Sequence, residues 1–258
     1  MAVIALCSAS GSPGVTTTAL GMALLWPRPV LLVEADATGG SGILAGYFRG
    51  IKSYDQGLVE LALSADDVAD LLPRIAHPIG SSTAAFIPGP RAHTQAPALT
   101  GLWGPLMTAL QDLETTGQDV IVDCGRLGLV GWPEPVLAES DLSLILCRTH
   151  LPAIAATRSW AEAIQRGHPA WANPGVMLVG EGQPYSAKEV NSVLGLPVHA
   201  VVADDPQSAA VLHRGVRIPD RFDRSPLLRS LQAAISAIHA AINVRRNGLG
   251  AEVLSDVQ

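Results

Sequence analysis

Seven short apolar runs, rich in β-branched residues and almost uninterrupted by polar ones, recur along the chain with longer helical patterns between them. They are AVIALC (2–7), PVLLVEAD (29–36), TAAFIPG (83–89), DVIVDCG (119–125), DLSLILCR (141–148), GVMLVG (175–180) and PVHAVVA (197–203). A strand that is apolar on both faces must be covered on both faces. Strands separated by helices are joined by right-handed crossovers. The pattern therefore predicts an α/β fold, a mostly parallel seven-stranded sheet flanked by helices. Helices are expected over 15–26, one or two within 57–75, and over 99–117, 151–166, 186–194, 206–214 and 225–244. The Gly- and Ser-rich stretch 37–56 reads as a loop. No internal repeat or long linker divides the chain, so residues 1–246 are expected to form one domain, with 247–258 a flexible tail.

Composition supports this scale of core. Of 258 residues, 48% are hydrophobic and 16% charged, which excludes global disorder. A net charge of -6 disfavours a bulk electrostatic grip on nucleic acid. The chain has only two lysines, Lys52 and Lys188, so arginine carries most of the positive charge. Cys7, Cys124 and Cys147 fit no zinc spacing and cannot all pair; they read as buried thiols in a reducing compartment. No basic n-region precedes the first apolar run, and no run reaches the ~20 residues of a membrane span. A cytoplasmic protein is expected. The last helical pattern carries Leu227, Leu228, Leu231, Ile235, Ile238 and Ile242 on one broad face. It reads as a closing helix, and the alternative of a membrane-surface helix lacks a row of basic residues.

The first apolar run leads into SASGSPGVTTTAL, residues 8–20. Strand, Gly-rich loop and helix is the arrangement that gathers backbone N–H groups around a phosphate. Gly11 and Gly14 permit the backbone angles required, Ser12 and Pro13 lie between them, and Thr16 and Thr17 follow at the start of the helix. In a P-loop, Thr16 would bind magnesium. The lysine that such a loop carries is replaced by Val15. Losing a charge-assisted hydrogen bond weakens binding by roughly 10- to 150-fold. Losing a donor aimed at transition-state charge costs about 10²–10³ in rate. The loop taken alone is also compatible with a βα turn that binds nothing. Two further strands end in acids: VLLVEAD in Glu34 and Asp36, and VIVDCG in Asp123. An aspartate closing a buried strand is the Walker B pattern. A Rossmann dinucleotide site is the alternative for Glu34 and Asp36, but its G-x-G core is absent. Seven scattered histidines form no metal pattern, and there is no G-x-S-x-G elbow.

With these segments in this order, the chain resembles the ParA/MinD family of deviant Walker A ATPases, in the SIMIBI class. SGSPGVTTT is similar to the family's KGGVGKTTT, VLLVEAD to VLLIDAD, and VIVDCG to its Walker B strand. GVMLVG, LGLPVHAVVADDPQSAAVLHRG and SPLLRSL resemble the family's distal strand, its glycine-terminated helix and its closing helix. The resemblance implies that Gly11 to Thr17 cradle the phosphates of ATP, that Thr16 and Asp123 hold Mg²⁺, and that Asp36 orients the attacking water. It implies homodimerisation and a protein partner. Gly180 or Glu181 falls near the family's base-reading Asn. The chain departs from the family at both charged positions, with Ser10 and Val15 in place of lysines, and so resembles the TadZ/CpaE-like branch with degenerate loops. That implies a weak ATPase at most, or a pseudo-ATPase, positioning a secretion or Tad-pilus machine or partitioning DNA with a pilus ATPase or partitioning protein as partner. A nucleotide-free interaction scaffold is the alternative. Arg28, Arg49, Arg91, Arg126 and Arg148 are candidates to replace the missing charge, with Arg126 preferred.

Overall fold

The computed structural model describes residues 2–54 and 56–255, with the side chains of 114, 115 and 248–255 outside the description. Of the expected tail, 247–258, residues 247–255 continue the last helix and 256–258 lie outside the described residues. The chain forms β1 (Val3–Ser8), α1 (Val15–Leu25), β2 (Val30–Glu34), a π-helical turn (Ile43–Tyr47), α2 (Leu58–Leu63), α3 (Val68–Ile75), β3 (His77–Pro78) and β4 (Ala84–Ile87). There follow α4 (Trp103–Asp112), β5 (Asp119–Arg126), α5 (Glu134–Glu139), β6 (Leu142–Arg148), α6 (Leu151–Gln165), β7 (Pro174–Val179), α7 (Ala187–Leu194), β8 (Val198–Val202), α8 (Pro206–Arg214) and α9 (Pro226–Ser255).

One eight-stranded sheet runs in the order β3-β4-β2-β5-β1-β6-β7-β8. The seven predicted strands are all present and parallel. The eighth, β3, is a two-residue antiparallel edge strand on β4. It is too short, and through Pro78 too poor in donors, to leave a periodic signal.

Side chains alternate between two cores. Val3, Ala5 and Cys7 of β1 face the layer that includes Trp103 of α4 and Ala161 of α6. Ile4 and Leu6 face the layer of α1, α8 and α9, where they meet Leu20, Leu212 and Leu231. On β5, Val120, Val122 and Cys124 go to the first layer and Ile121 to the second. All three cysteines are free and buried, as expected.

The closing helix behaves as read: Leu227, Leu228, Leu231, Ile235, Ile238 and Ile242 are buried. Its segment Pro226–Asn247 is, by length and hydropathy, just sufficient to cross a membrane, which the absence of an unbroken apolar run did not anticipate. Here the apolar stripe is spent on the sheet, where α9 packs against β8 and α1.

The strand order turns back on either side of β1. In such sheets the carboxyl ends of the strands at this switch point open a crevice. The glycine loop follows β1 directly into it.

Candidate functional site

The loop between β1 and α1 is held in backbone conformations that suit a cradle. Gly11, Ser12 and Gly14 all have positive φ, at +74°, +44° and +96°. Gly14 precedes α1, and no side chain caps that helix end. The first intrahelical bond is donated by the Thr18 N–H to the Gly14 carbonyl, at 2.9 Å. The N–H groups of Val15, Thr16 and Thr17 therefore lack an intrahelical acceptor, as at any helix start, and they lie at the positive end of the helix dipole. No acidic side chain in the first turn competes for that end. The loop and the start of α1 line a cleft of about 620 Å³.

Two neighbouring strands deliver carboxylates to the same place. The β2–β5 register sets Glu34 beside Asp123. By the two-residue period both share a face with Ile121 and Leu32, the face that packs on α1. Asp123 is wholly buried, and Glu34 is 4% exposed. Asp123 Oδ1 accepts the Gly125 N–H at 3.0 Å. Its Oδ2 is buried without a hydrogen-bond partner among the described residues. Burial pushes the Asp123 carboxyl up to about 7, the nearby carboxylates of Asp36 and Glu34 add to the rise, and the Thr16 side chain and Gly125 N–H oppose it. Glu34 is raised too, by burial, although the N–H groups of Ile43 and Gly89 donate to it at 3.4 and 3.3 Å. Those bonds tie β2 to the π-helical turn and to the end of β4, so Glu34 organises the loop over the site.

Asp36 lies two residues after Glu34, just past the end of β2. Its Oδ1 accepts the Thr38 N–H at 2.8 Å. Its carboxylate lies against Gly125, whose φ is +61°; a Cβ there would come within 2.2 Å of Asp36 Cγ. Glycine at 125 is therefore required both by the backbone angle and by the close approach. Asp36 and Thr16 line the cleft together, and Asp123 is buried beneath them.

The cleft thus brings together Gly11, Ser12, Pro13, Gly14, Val15, Thr16, Thr17 and Asp36. Val15 contributes its backbone. Its side chain is 5% exposed and belongs to the apolar layer beneath α1.

The cation candidates divide. Arg126 and Arg148 line the cleft. Arg28 instead pairs with Asp119 at 2.6 Å, at the opposite, amino-terminal end of β5, because it precedes β2 rather than following it. Arg91 pairs with Glu60 at 3.1 Å and lies over Tyr54. Arg49 packs beside Gly215. Glu181 accepts the Ala187 N–H at 2.9 Å at the start of α7, and Gly180 donates to Val202. Neither lines the cleft; the residue of that segment that does is Val179.

The distal wall was not legible as a site in the sequence. It is formed by Val179, Val202, Asp204, Asp205, Pro206 and Leu227. Arg148 and Asp204 are joined across it at 2.6 Å. The available signal was positional: Val179 and Val202 end parallel strands, and Asp204, Asp205 and Pro206 follow the second of them, on the crevice side of the sheet.

The donor set can be tested for Mg²⁺. Among the described residues no group of three or more His, Cys, Asp and Glu is placed to hold a metal. That excludes an all-protein cage but suits magnesium, which takes one or two protein oxygens plus phosphate and water. A buried carboxylate oxygen with no partner, next to a threonine at a helix start, is such a set.

No protein-family model and no curated protein sequence matches the chain. Solved structures do. MinD in a MinC:MinD cell division complex from Aquifex aeolicus superposes with a TM-score of 0.68 at 12% identity, covering 93% of this chain and 96% of that one. A ParA family ATPase from Chlorobium tepidum gives 0.68 at 15%, covering 92% and 99%. A plasmid partition protein from Borrelia burgdorferi bound to AMPPNP gives 0.70 at 13%, covering 93% and 98%. The likeness runs through nearly the whole of each chain, and what it establishes is architecture: this chain has the MinD/ParA P-loop fold.

Proposed function

We propose that the chain is a ParA/MinD-like positioning protein that binds a nucleoside triphosphate, hydrolyses it weakly or not at all, and acts through a homodimer and a protein partner. The observation that carries the reading is the pairing of a glycine loop and an uncapped helix start with a buried carboxylate one of whose oxygens has no hydrogen-bond partner among the described residues. The uncapped N-terminus of α1 and the positive-φ residues Gly11, Ser12 and Gly14 would hold the phosphates. Thr16 and Asp123 would hold Mg²⁺, which, when bound, neutralises phosphate charge. Asp36 would orient a water. ATP is the nucleotide that the resemblance favours.

The chemistry of turnover is where the site is deficient. Position 15 presents an apolar side chain to the core, and position 10 has a hydroxyl. With no lysine in the loop, transition-state charge goes without its ordinary donors, a loss of about 10²–10³ in rate for each. Binding outlasts catalysis in such a site, so the nucleotide would serve as a conformational ligand. The cargo reading, placement of a secretion or Tad-pilus machine or partition of DNA, rests on the resemblance to degenerate-loop relatives, as does the cytoplasmic location with recruitment to a pole or to the inner membrane face.

Phosphate release at saturating Mg²⁺·ATP, measured beside light scattering of the same samples, tests the proposal. The expected result is release indistinguishable from the buffer control together with an ATP-dependent shift from monomer to dimer. Sustained turnover would contradict the pseudo-ATPase reading. An unchanged monomer in ATP would contradict the nucleotide-switched dimer. The alternative of a scaffold that binds no nucleotide is favoured by one observation, the aspartates Asp36, Asp204 and Asp205 on the cleft wall, which oppose an anion.

A further inference from the structure

We infer that Arg126 supplies the cationic contact to the terminal phosphates that the loop itself lacks. The inference rests on the nucleotide-binding reading above and assigns a residue to it.

A magnesium-bound triphosphate still carries excess negative charge. The cleft offers it backbone dipoles and hydroxyls, but also Asp36, Asp204 and Asp205. A full positive charge nearby strengthens the hold on such an anion. Among the described residues, three basic side chains line the cleft: Arg126, Arg148 and His213. Two are committed. Arg148 is paired with Asp204 at 2.6 Å, on the distal wall. His213 bonds through Nδ1 to the Ala209 carbonyl at 2.8 Å, and its Nε2 accepts from Arg214. It also sits in the last turn of α8, the negative end of that helix. Arg126 is exposed and has no ion pair or side-chain hydrogen bond among the described residues.

Its place in the sheet is the second argument. The β1–β5 register sets Arg126 beside Ser8, the residue from which the glycine loop departs. The Leu127 N–H donates to the Ser8 carbonyl at 2.9 Å, which fixes that register. Gly125, with its positive φ and with Asp36 packed against it, sets the direction in which the chain leaves β5. Arg126 is therefore anchored between the loop on one side and the acids of the site on the other. A guanidinium there can take two phosphate oxygens at once. The residue lies on a strand end, so it is positioned by the sheet rather than by a mobile loop.

The test is binding of Mg²⁺·ATP, Mg²⁺·ADP and AMP to the full chain and to Arg126→Ala, by calorimetry, with the melting temperature of each apo protein as the control for folding. The exposed position predicts an unchanged melting temperature. The expected result is a loss of about 10- to 100-fold for ATP, little change for AMP, and hence a smaller ATP-to-AMP preference. Arg148→Ala, in contrast, should weaken all three alike, since it disturbs the distal wall. If the unaltered chain binds ATP and Arg126→Ala keeps both its affinity and its ATP-to-AMP preference, the assignment is overturned and the nucleotide reading stands. If the unaltered chain binds no nucleotide up to millimolar concentration, both are overturned.

Discussion

At the scale of single residues, Val15 and Asp123 decide what the site can do. By the resemblance, Val15 stands where a P-loop carries its lysine, and its side chain is buried with Leu20 and Leu6. Val15→Lys should cost about 1–3 kcal/mol of apo stability through lost packing. It should raise Mg²⁺·ATP affinity tenfold or more, because the rest of the cradle is formed. Denaturant unfolding and nucleotide titration of the variant check the two halves separately. Asp123 makes a pH prediction. Its carboxyl is raised to about 7, above the ~3.9 of an exposed aspartate. Below about pH 4 both folded and unfolded chains hold the proton. From there to about pH 7 only the folded chain does, so the stability associated with this group is lost as pH rises and is gone above 7. Asp123→Asn removes the effect. In nucleotide-free melts the variant should match the unaltered chain near pH 4 and exceed it by a few kcal/mol at pH 8. Equal stability at both pH values would mean that the carboxylate is better solvated than its burial implies.

At the scale of elements, the strand ends that carry the site are also where sequence was most and least informative. The runs ending in Asp36 and Asp123, and the loop from Gly11 to Thr17, were visible because apolar strands, glycines and acids each leave a local signature. The juxtaposition of Glu34 with Asp123 was not, since it depends on the β2–β5 register, a non-local fact. The π-helical turn Ile43–Tyr47 lay inside a stretch whose glycines and serines read as loop. It forms because Glu34 collects the Ile43 N–H and because Gly46 lets the turn approach the His213 carbonyl, where a Cβ would come within 2.3 Å. Arg28, one of the candidate charges, lies at the far end of the sheet because it stands at the start of a strand rather than its end. Gly125 links the two acidic elements. Gly125→Ala should lose about 1–3 kcal/mol, from its positive φ and from the collision with Asp36. Since it moves Asp36 and Arg126 together, it should weaken ATP more than AMP, which titration of both ligands would reveal.

At the scale of the whole molecule, alternation of strands and helices was sufficient for the fold, because a strand that is apolar on both faces admits few architectures. What the alternation could not fix was strand order, and hence which loops meet. The order places β1 centrally, sends α1 along one face, and closes that face with α9. The packing there is tight. Gly21 of α1 leaves room for Leu231 of α9; a Cβ at 21 would lie 2.6 Å from Leu231 Cδ1. Leu231 is fully buried. Leu231→Ala should therefore cost about 2–5 kcal/mol in denaturant unfolding. A much smaller loss would mean that α9 is loosely attached and free for another surface.

On the proposed function, the lysine-free loop binds nucleotide through its backbone, Thr16 and Asp123. Isothermal titration of the purified chain with Mg²⁺·ATP, repeated on Asp123→Ala, addresses it most directly. Saturable heat is expected for the unaltered chain, with affinity lower by about tenfold or more in the variant. No heat up to millimolar ATP, with no thermal shift, or binding that Asp123→Ala leaves unchanged, would contradict it.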